Sequence, residues 1–191
     1  MTASLAFFYD VASPYSYLTF ARIHDVAPQY QVSIDLCPFL LGGVFRATSN
    51  VMPAANLVRA KYLRKDLERW AGRDETPFQF SSSFPHNSLH AMRAITAASS
   101  ENRVEVSRRL FEAAWVKDLN ISLPEVCADA LGEYGFLLEE GQAPAIKEKL
   151  KHETARAVEA GAFGAPFFLV GKEGYWGNDR LEMALEYARE G

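Results

Sequence analysis

The chain has little cysteine, with two residues in 191, Cys37 and Cys127, far apart in sequence. No C-x-x-C pair is present, so the chain cannot cycle between a dithiol and a disulfide at one such site. Two distant cysteines also do not form the framework of a disulfide-rich secreted domain. A reducing compartment fits this usage best, and we expect a cytoplasmic protein.

Several other signatures are missing. The net charge is −4 and no Lys/Arg-rich stretch occurs, which argues against nucleic acid as the main partner. No apolar run approaches the ~18 to 20 residues of a membrane span, and the N-terminus lacks the pattern of a signal peptide. His86 and His90 are four residues apart without H-E-x-x-H or a third ligand, so we expect no metal. P-loop, G-x-G-x-x-G and G-x-S-x-G motifs are absent as well.

Apolar residues are abundant, at 49% of the chain, which is enough for one well-buried core or two small ones. Residues 5–9 form a short aromatic-rich run typical of a central strand. Ser13 and Pro14 then suit the N-cap and first position of a helix, predicted to reach about residue 27. The alternating residues 32–36 predict a second strand, parallel to the first in a βαβ unit.

The long middle of the chain has a helical pattern. Helix starts are predicted at Pro53, Asn87 or Ser88, Val104, Pro124 and Pro144. Strand character returns at residues 167–170 and 175–176. A last helix is predicted over residues 180–189, and Asp179 with Glu182 resembles a capping box at its start.

This order of elements, β-α-β, a helical block, then β-β-α, predicts an α/β protein with a thioredoxin-like fold. We expect residues 1–43 and 162–191 to form the thioredoxin-like domain. Residues 44–161 are expected to form an inserted, all-helical domain, because the helical block lies between two halves of one sheet.

Ser13 is the first candidate for chemistry, because it lies between a strand end and a helix start. The free N–H groups and dipole at a helix N-terminus favour an anion there. Helix capping alone would also explain this serine, and the local pattern leaves both interpretations open.

Several separated blocks together resemble the family of kappa-class glutathione transferases and 2-hydroxychromene-2-carboxylate isomerases. The resemblance covers essentially the whole chain. The blocks are Phe8-Tyr9-Asp10 with Ser13-Pro14-Tyr15-Ser16-Tyr17-Leu18, Leu40-Leu41-Gly42-Gly43 with Asn50, Tyr62-Leu63-Arg64-Lys65-Asp66-Leu67, Asn87-Ser88-Leu89-His90-Ala91-Met92-Arg93, Ala114-Trp115, Gly161-Ala162-Phe163-Gly164-Ala165-Pro166 and Trp176-Gly177-Asn178-Asp179-Arg180-Leu181.

The resemblance implies glutathione as the cofactor. Ser13 would then donate its hydroxyl to the glutathione sulfur and favour the thiolate, with Tyr15 beside it. A free thiol has a pKa of about 8.5, and such surroundings lower it by roughly 1 to 2 units. Ser13 is therefore the predicted catalytic residue.

Further cofactor contacts are implied by the same resemblance. The backbone of Ala165 would pair with the cysteinyl unit next to a cis Pro166. Asn178 and Asp179 would hold the γ-glutamyl end, and Asn50 would lie near the thiol. Capping and turn formation are the structural alternatives for Asn178, Asp179 and Asn50.

Three cations, Arg46, Lys61 and Arg64, are weaker candidates for binding a substrate carboxylate, because cations on helix surfaces are usually only solvated. Arg46 and Lys61 are the two that we predict as substrate contacts.

The family implies a glutathione-dependent isomerase that interconverts 2-hydroxychromene-2-carboxylate and trans-o-hydroxybenzylidenepyruvate in aromatic catabolism. A kappa-type transferase that conjugates small electrophiles is the first alternative. A non-catalytic thiol- or peptide-binding module is the second. The family also implies a homodimer and a small aromatic carboxylate or electrophile as substrate.

Overall fold

A computed structural model describes residues 3–52 and 56–191. Four strands and nine α-helices follow one another within these residues. They are β1 (Ala3–Tyr9), α1 (Pro14–Val26), β2 (Val32–Pro38), α2 (Leu41–Thr48), α3 (Leu57–Arg73), α4 (Leu89–Ala97), α5 (Arg103–Trp115), α6 (Pro124–Leu131), α7 (Leu137–Glu140), α8 (Pro144–Glu159), β3 (Phe167–Val170), β4 (Glu173–Trp176) and α9 (Leu181–Glu190). A 3₁₀ turn over Asn178–Arg180 precedes α9.

The four strands form one sheet in the order β2-β1-β3-β4. β1 pairs with β2 in parallel, with Phe7 opposite Leu36. β3 runs antiparallel to both β1 and β4. This mixed sheet confirms the predicted thioredoxin-like arrangement, in which seven helices, α2 to α8, separate the βαβ half from the ββα half.

The hydrophobic core lies on both faces of the sheet because successive residues of a strand point to opposite faces. On one face, Phe7 and Tyr9 pack with helices α1, α5 and α9, and the Tyr9 ring lies 5.9 Å from the Phe111 ring. On the other face, Phe8 and Phe167 pack with Val44 of α2 and Ala157 of α8. The helices between β2 and β3 therefore share a core with the sheet. The division into domains 1–43 with 162–191, and 44–161, stays a prediction.

Most helix starts within the described residues agree with the sequence pattern. Helices α2 and α7 were not predicted. Pro53 lies outside the described residues, and the described helix α3 begins at Leu57, where Asn56 accepts from two backbone N–H groups. The predicted capping box at α9 was wrong, because Asp179 pairs with Arg180 and Glu182 pairs with Arg22 instead.

No described helix combines the length and the apolar character that crossing a membrane requires.

Candidate active site

Ser13 lies at the junction of β1 and α1 with extended backbone, and it is the N-cap of α1. Its Oγ accepts from the backbone N–H of Ser16 at 3.1 Å. The same hydroxyl donates to the carbonyl of Ala165 at 3.2 Å. Ser13 therefore caps α1 through its oxygen, while its hydroxyl proton points to the segment before β3.

That segment contains a cis peptide bond between Ala165 and Pro166. The resemblance implied this bond. A second cis bond, Phe84–Pro85, was not predicted. Gly177 donates its backbone N–H to the Pro166 carbonyl at 3.1 Å, so the start of β3 and the end of β4 meet beside Ser13.

A cavity of about 560 Å³ opens above Ser13. Apolar and aromatic side chains dominate its wall. They include Phe45, Met52, Tyr62, Leu63, Phe84, Phe163 and Trp176. The cavity has the size of an ordinary small-molecule site, for which a mostly apolar wall with a few polar groups is typical.

Four of the predicted site residues border this cavity: Ser13, Tyr15, Asn50 and Ala165. The Asn50 amide donates to the carbonyl of Phe163 at 2.8 Å, and its oxygen accepts from the Val51 N–H at 2.8 Å. Asn50 thus connects the residues after α2 with the segment that leads into the cis bond.

The Tyr15 hydroxyl donates to Asp66 of α3, at 2.7 Å. Burial, followed by the hydrogen bond to Asp66 and the nearby charges, raises the pKa of the Tyr15 phenol well above its usual range. Tyr15 therefore stays protonated across the physiological range, and it connects α1 with α3 along the cavity wall.

Asn178 and Asp179 are not part of the cavity wall. Asn178 is 2% exposed, and its side-chain oxygen accepts from the Thr19 hydroxyl at 3.0 Å. Asp179 is half exposed and pairs with Arg180 at 2.8 Å. Of these two side chains, Asp179 is the one that a ligand can reach from solvent, and its charge also acts on the Tyr15 hydroxyl.

The predicted cations do not line the cavity. Arg46 borders an adjoining cavity of about 320 Å³ that shares Phe45, Met52 and Phe84 with the larger one. Lys61 is exposed. Arg64 lies over the Phe80 ring at 5.2 Å and pairs with Glu68.

Arg59 is the charged residue that the cavity wall contains, and the sequence analysis missed it. It lies on α3 one turn before Leu63, which also faces the cavity. The pattern of α3 offers a signal, because residues 59, 62, 63 and 66 fall on one helical face. This pattern identifies Arg59 as a cavity residue only when the Tyr15–Asp66 hydrogen bond shows which face of α3 is turned to α1.

Gly164 allows the Trp176 indole to lie against the backbone just before the cis bond. A Cβ at this position would come within 2.5 Å of Trp176 Nε1 and 3.2 Å of Cε2. The Trp176 ring also packs on Phe163, with 4.7 Å between the ring centroids. The close approach of backbone and indole therefore fixes one side of the cavity.

We expect Gly164→Ala to displace the Trp176 indole and to raise the KM for a hydrophobic substrate about tenfold, since overpacking costs roughly 1 to 3 kcal/mol. Steady-state kinetics and tryptophan fluorescence would measure both effects. Gly72→Ala is the matched control, because a Cβ there meets nothing within 4 Å. An unchanged KM in Gly164→Ala would show that Trp176 does not shape the substrate site.

Within residues 3–52 and 56–191, His, Cys, Asp and Glu side chains do not gather in groups of three that could hold a metal ion.

The fold and this site define a thioredoxin-like protein with a serine at the start of α1, beside a cis proline. The family model described as DSBA-like thioredoxin domain matches residues 4–188. The chain belongs to this family.

Individual similar proteins have more specific names than the family model. A 2-hydroxychromene-2-carboxylate isomerase of Pseudomonas sp. (strain C18) is 32% identical over 93% of this chain and 86% of its own length. Glutathione S-transferase kappa 1 of Homo sapiens is 29% identical, over 92% and 86%. A solved structure of a 2-hydroxychromene-2-carboxylate isomerase superposes with a TM-score of 0.82 at 29% identity, covering 98% of this chain and 94% of that one. The resemblance to this glutathione-related isomerase and transferase group is thereby confirmed.

Proposed function

We propose that this protein is a glutathione-dependent isomerase that acts on 2-hydroxychromene-2-carboxylate or a closely similar aromatic carboxylate. The observation that carries the proposal is the Ser13 hydroxyl, placed at a helix N-terminus and at the floor of an aromatic-walled cavity. The names of the similar proteins support the same assignment.

The residues around Ser13 fit glutathione. The Ser13 hydroxyl proton is now donated to the Ala165 carbonyl at 3.2 Å. A rotation about the Cβ–Oγ bond would turn it to a sulfur in the cavity. The Ala165 carbonyl would then be available to accept an N–H from the tripeptide, so one movement serves both contacts. Asp179 suits the ammonium group of the γ-glutamyl end.

Glutathione, when bound, would supply a thiolate whose addition turns a conjugated double bond into a single bond that can rotate, and whose elimination would restore the double bond and release the thiolate. The protein favours the thiolate through the Ser13 hydroxyl and the positive end of α1. The aromatic wall excludes water and holds a flat substrate against the sulfur. Such a reaction leaves glutathione unchanged in amount.

The rate of 2-hydroxychromene-2-carboxylate interconversion, followed by absorbance with and without glutathione, tests the proposal. We expect a rate that requires glutathione while the concentration of glutathione stays constant. No interconversion under either condition would exclude this substrate.

A kappa-type glutathione transferase is the second candidate. The composition of the cavity wall favours this candidate, because Arg59 is the single charged residue among the described residues of the wall. If glutathione binds at Arg59 through a carboxylate, an uncharged electrophile would suit the remaining apolar wall better than a carboxylate. Consumption of glutathione in the presence of 1-chloro-2,4-dinitrobenzene would support this candidate.

We expect Arg59→Gln to weaken glutathione binding about 2- to 5-fold, because an exposed ion pair contributes roughly up to 1 kcal/mol. Isothermal titration calorimetry measures this change. Lys61→Gln is the matched control, since Lys61 is a cation two residues along the same helix that lies outside the cavity wall. Equal losses in the two variants would argue for a general effect of charge and against a contact at Arg59.

A further inference from the structure

Asp10 is a buried acid at the end of β1, three residues before Ser13, and it is 1% exposed. Its Oδ1 accepts from the Ala12 backbone N–H at 2.9 Å, and its Oδ2 accepts from the Leu41 N–H at 2.8 Å. Burial raises the pKa of the Asp10 carboxyl, and the two backbone N–H groups and the nearby Ser88 side chain oppose this rise. The backbone carbonyl of Asp10 accepts the Ser13 N–H at 2.9 Å.

These two hydrogen bonds reach two different parts of the chain. Ala12 belongs to the loop before Ser13, and Leu41 is the first residue of α2. Ala12 and Leu41 both border the cavity above Ser13. The Asp10 carboxylate thus connects the loop that precedes Ser13 with the start of α2, which forms part of the cavity wall.

A carboxylate is the side chain that suits this position, because it accepts at both oxygens. An asparagine of the same shape accepts at one oxygen only and would direct its NH₂ group at a backbone N–H. A buried N–H without a partner costs free energy, so the loop or the start of α2 must then move.

We propose that Asp10 is a positioning residue: its carboxylate sets the placement of residue 13 relative to the N-terminus of α1 and the cavity wall. This positioning role rests on the proposed function only in the experiments that measure activity. The geometry itself concerns residue 13, whichever ligand the cavity takes.

The charge of Asp10 and its geometry have opposite effects on a thiolate at the start of α1. A buried negative charge disfavours a second anion nearby, so removing that charge alone lowers the pKa of the thiol. Loss of the loop's placement moves the thiol away from the helix N-terminus and raises its pKa. The direction of the change therefore distinguishes the two roles.

A cysteine reporter makes this measurable without glutathione. In Ser13→Cys the new thiol stands at the start of α1, and its pKa follows from the pH dependence of alkylation by iodoacetamide. Cys37 and Cys127 are both buried, and burial raises the pKa of both thiols, that of Cys127 to about 12, so they contribute little to alkylation.

We expect Asp10→Asn, added to Ser13→Cys, to raise the reporter pKa by about half a unit to one unit and to slow alkylation at neutral pH at least about threefold. A lower or unchanged reporter pKa would overturn the proposal. Asp118→Asn is the matched control, since Asp118 also accepts a backbone N–H, from Ser82 at 2.6 Å, but far along the chain. In Asp118→Asn combined with Ser13→Cys, the pKa of the reporter thiol should equal that in Ser13→Cys alone.

Two further variants test the same role. Ser88→Ala removes the polar side chain that acts on the Asp10 carboxyl, and it should shift the reporter pKa in the same direction by less, even if Asp10→Asn does not fold. Asp10→Asn alone, with serine at position 13, should lower kcat of the glutathione-dependent reaction with little change in KM. A reporter shift in a protein without glutathione-dependent activity would refute the proposed function and leave the positioning role standing.

Discussion

Ser13→Ala is expected to lower the glutathione-dependent rate about 100- to 1,000-fold, the usual loss when one hydrogen-bond donor to a developing anion is removed. The hydroxyl that would stabilise the thiolate is absent in this variant, so the thiol pKa rises. The rate should then increase with pH in both proteins, and the curve of the variant should be displaced to higher pH. Steady-state kinetics across pH would show both effects.

Ser16→Ala is the matched control for this variant. Ser16 lies in the same first turn of α1, is fully buried, and its hydroxyl has no hydrogen-bond partner. Its replacement should leave the rate near that of the natural protein. Ser13→Ala also loses the N-cap, a cost of about 1 kcal/mol that a thermal melt would detect. A Ser13→Ala protein with an unchanged rate would leave capping as the whole role of this serine.

Among the described ion pairs, those of Arg22 are expected to contribute most to stability. The Arg22 side chain is 11% exposed; it pairs with Glu182, and its Nε lies 3.5 Å from Asp74. It also donates to the Asn178 carbonyl at 2.8 Å. These contacts join α1 to the end of α3 and to the start of α9, so one side chain connects three parts of the molecule.

Arg22→Ala should lower the free energy of unfolding by about 2 to 3 kcal/mol, because removing one partner of a buried ion pair leaves the others unpaired. The upper end of the usual range is reduced here, since the Glu182 side chain is 38% exposed. For a chain of this length the loss corresponds to roughly 4 to 12 °C in Tm. Arg64→Gln is the control, as its pair with Glu68 is 61% and 60% exposed. A loss in Arg22→Ala no larger than in this control would contradict the prediction.

The pH dependence of the Arg22 contribution has a definite sign. Burial opposes the charged form of Glu182, yet the Arg22 guanidinium holds the pKa of that carboxyl below its ordinary value of 4.5. A lowered pKa gives stability that is present above the unfolded-state value and is lost as the pH falls through the folded one. The difference in Tm between the natural protein and Arg22→Ala should therefore shrink in acid, below about pH 4.5.

The sequence by itself determined the order β-α-β, a helical block, then β-β-α, and the start of the first helix, although it missed α2 and α7 within the block. The local signals are strong there: an aromatic run that ends at Tyr9, a capping serine and a proline suited to the first turn. The Ala165-Pro166 pair was equally visible, although its cis bond was expected from the resemblance and not from the residues themselves. Short-range preferences are sufficient for such features because they act within a few residues.

Tertiary structure decided which polar side chains the cavity contains. Arg46, Lys61 and Arg59 are all cations on neighbouring helices, and only the packing of α3 on α1, through Tyr15 and Asp66, turns Arg59 to the cavity. The resemblance implied that Asn178 contacts glutathione, which stays a prediction, and the fold buries its side chain against Thr19. The phase of a helix and the direction of a side chain depend on contacts between residues far apart in the chain, such as Ser13 with Ala165. No local pattern encodes such contacts.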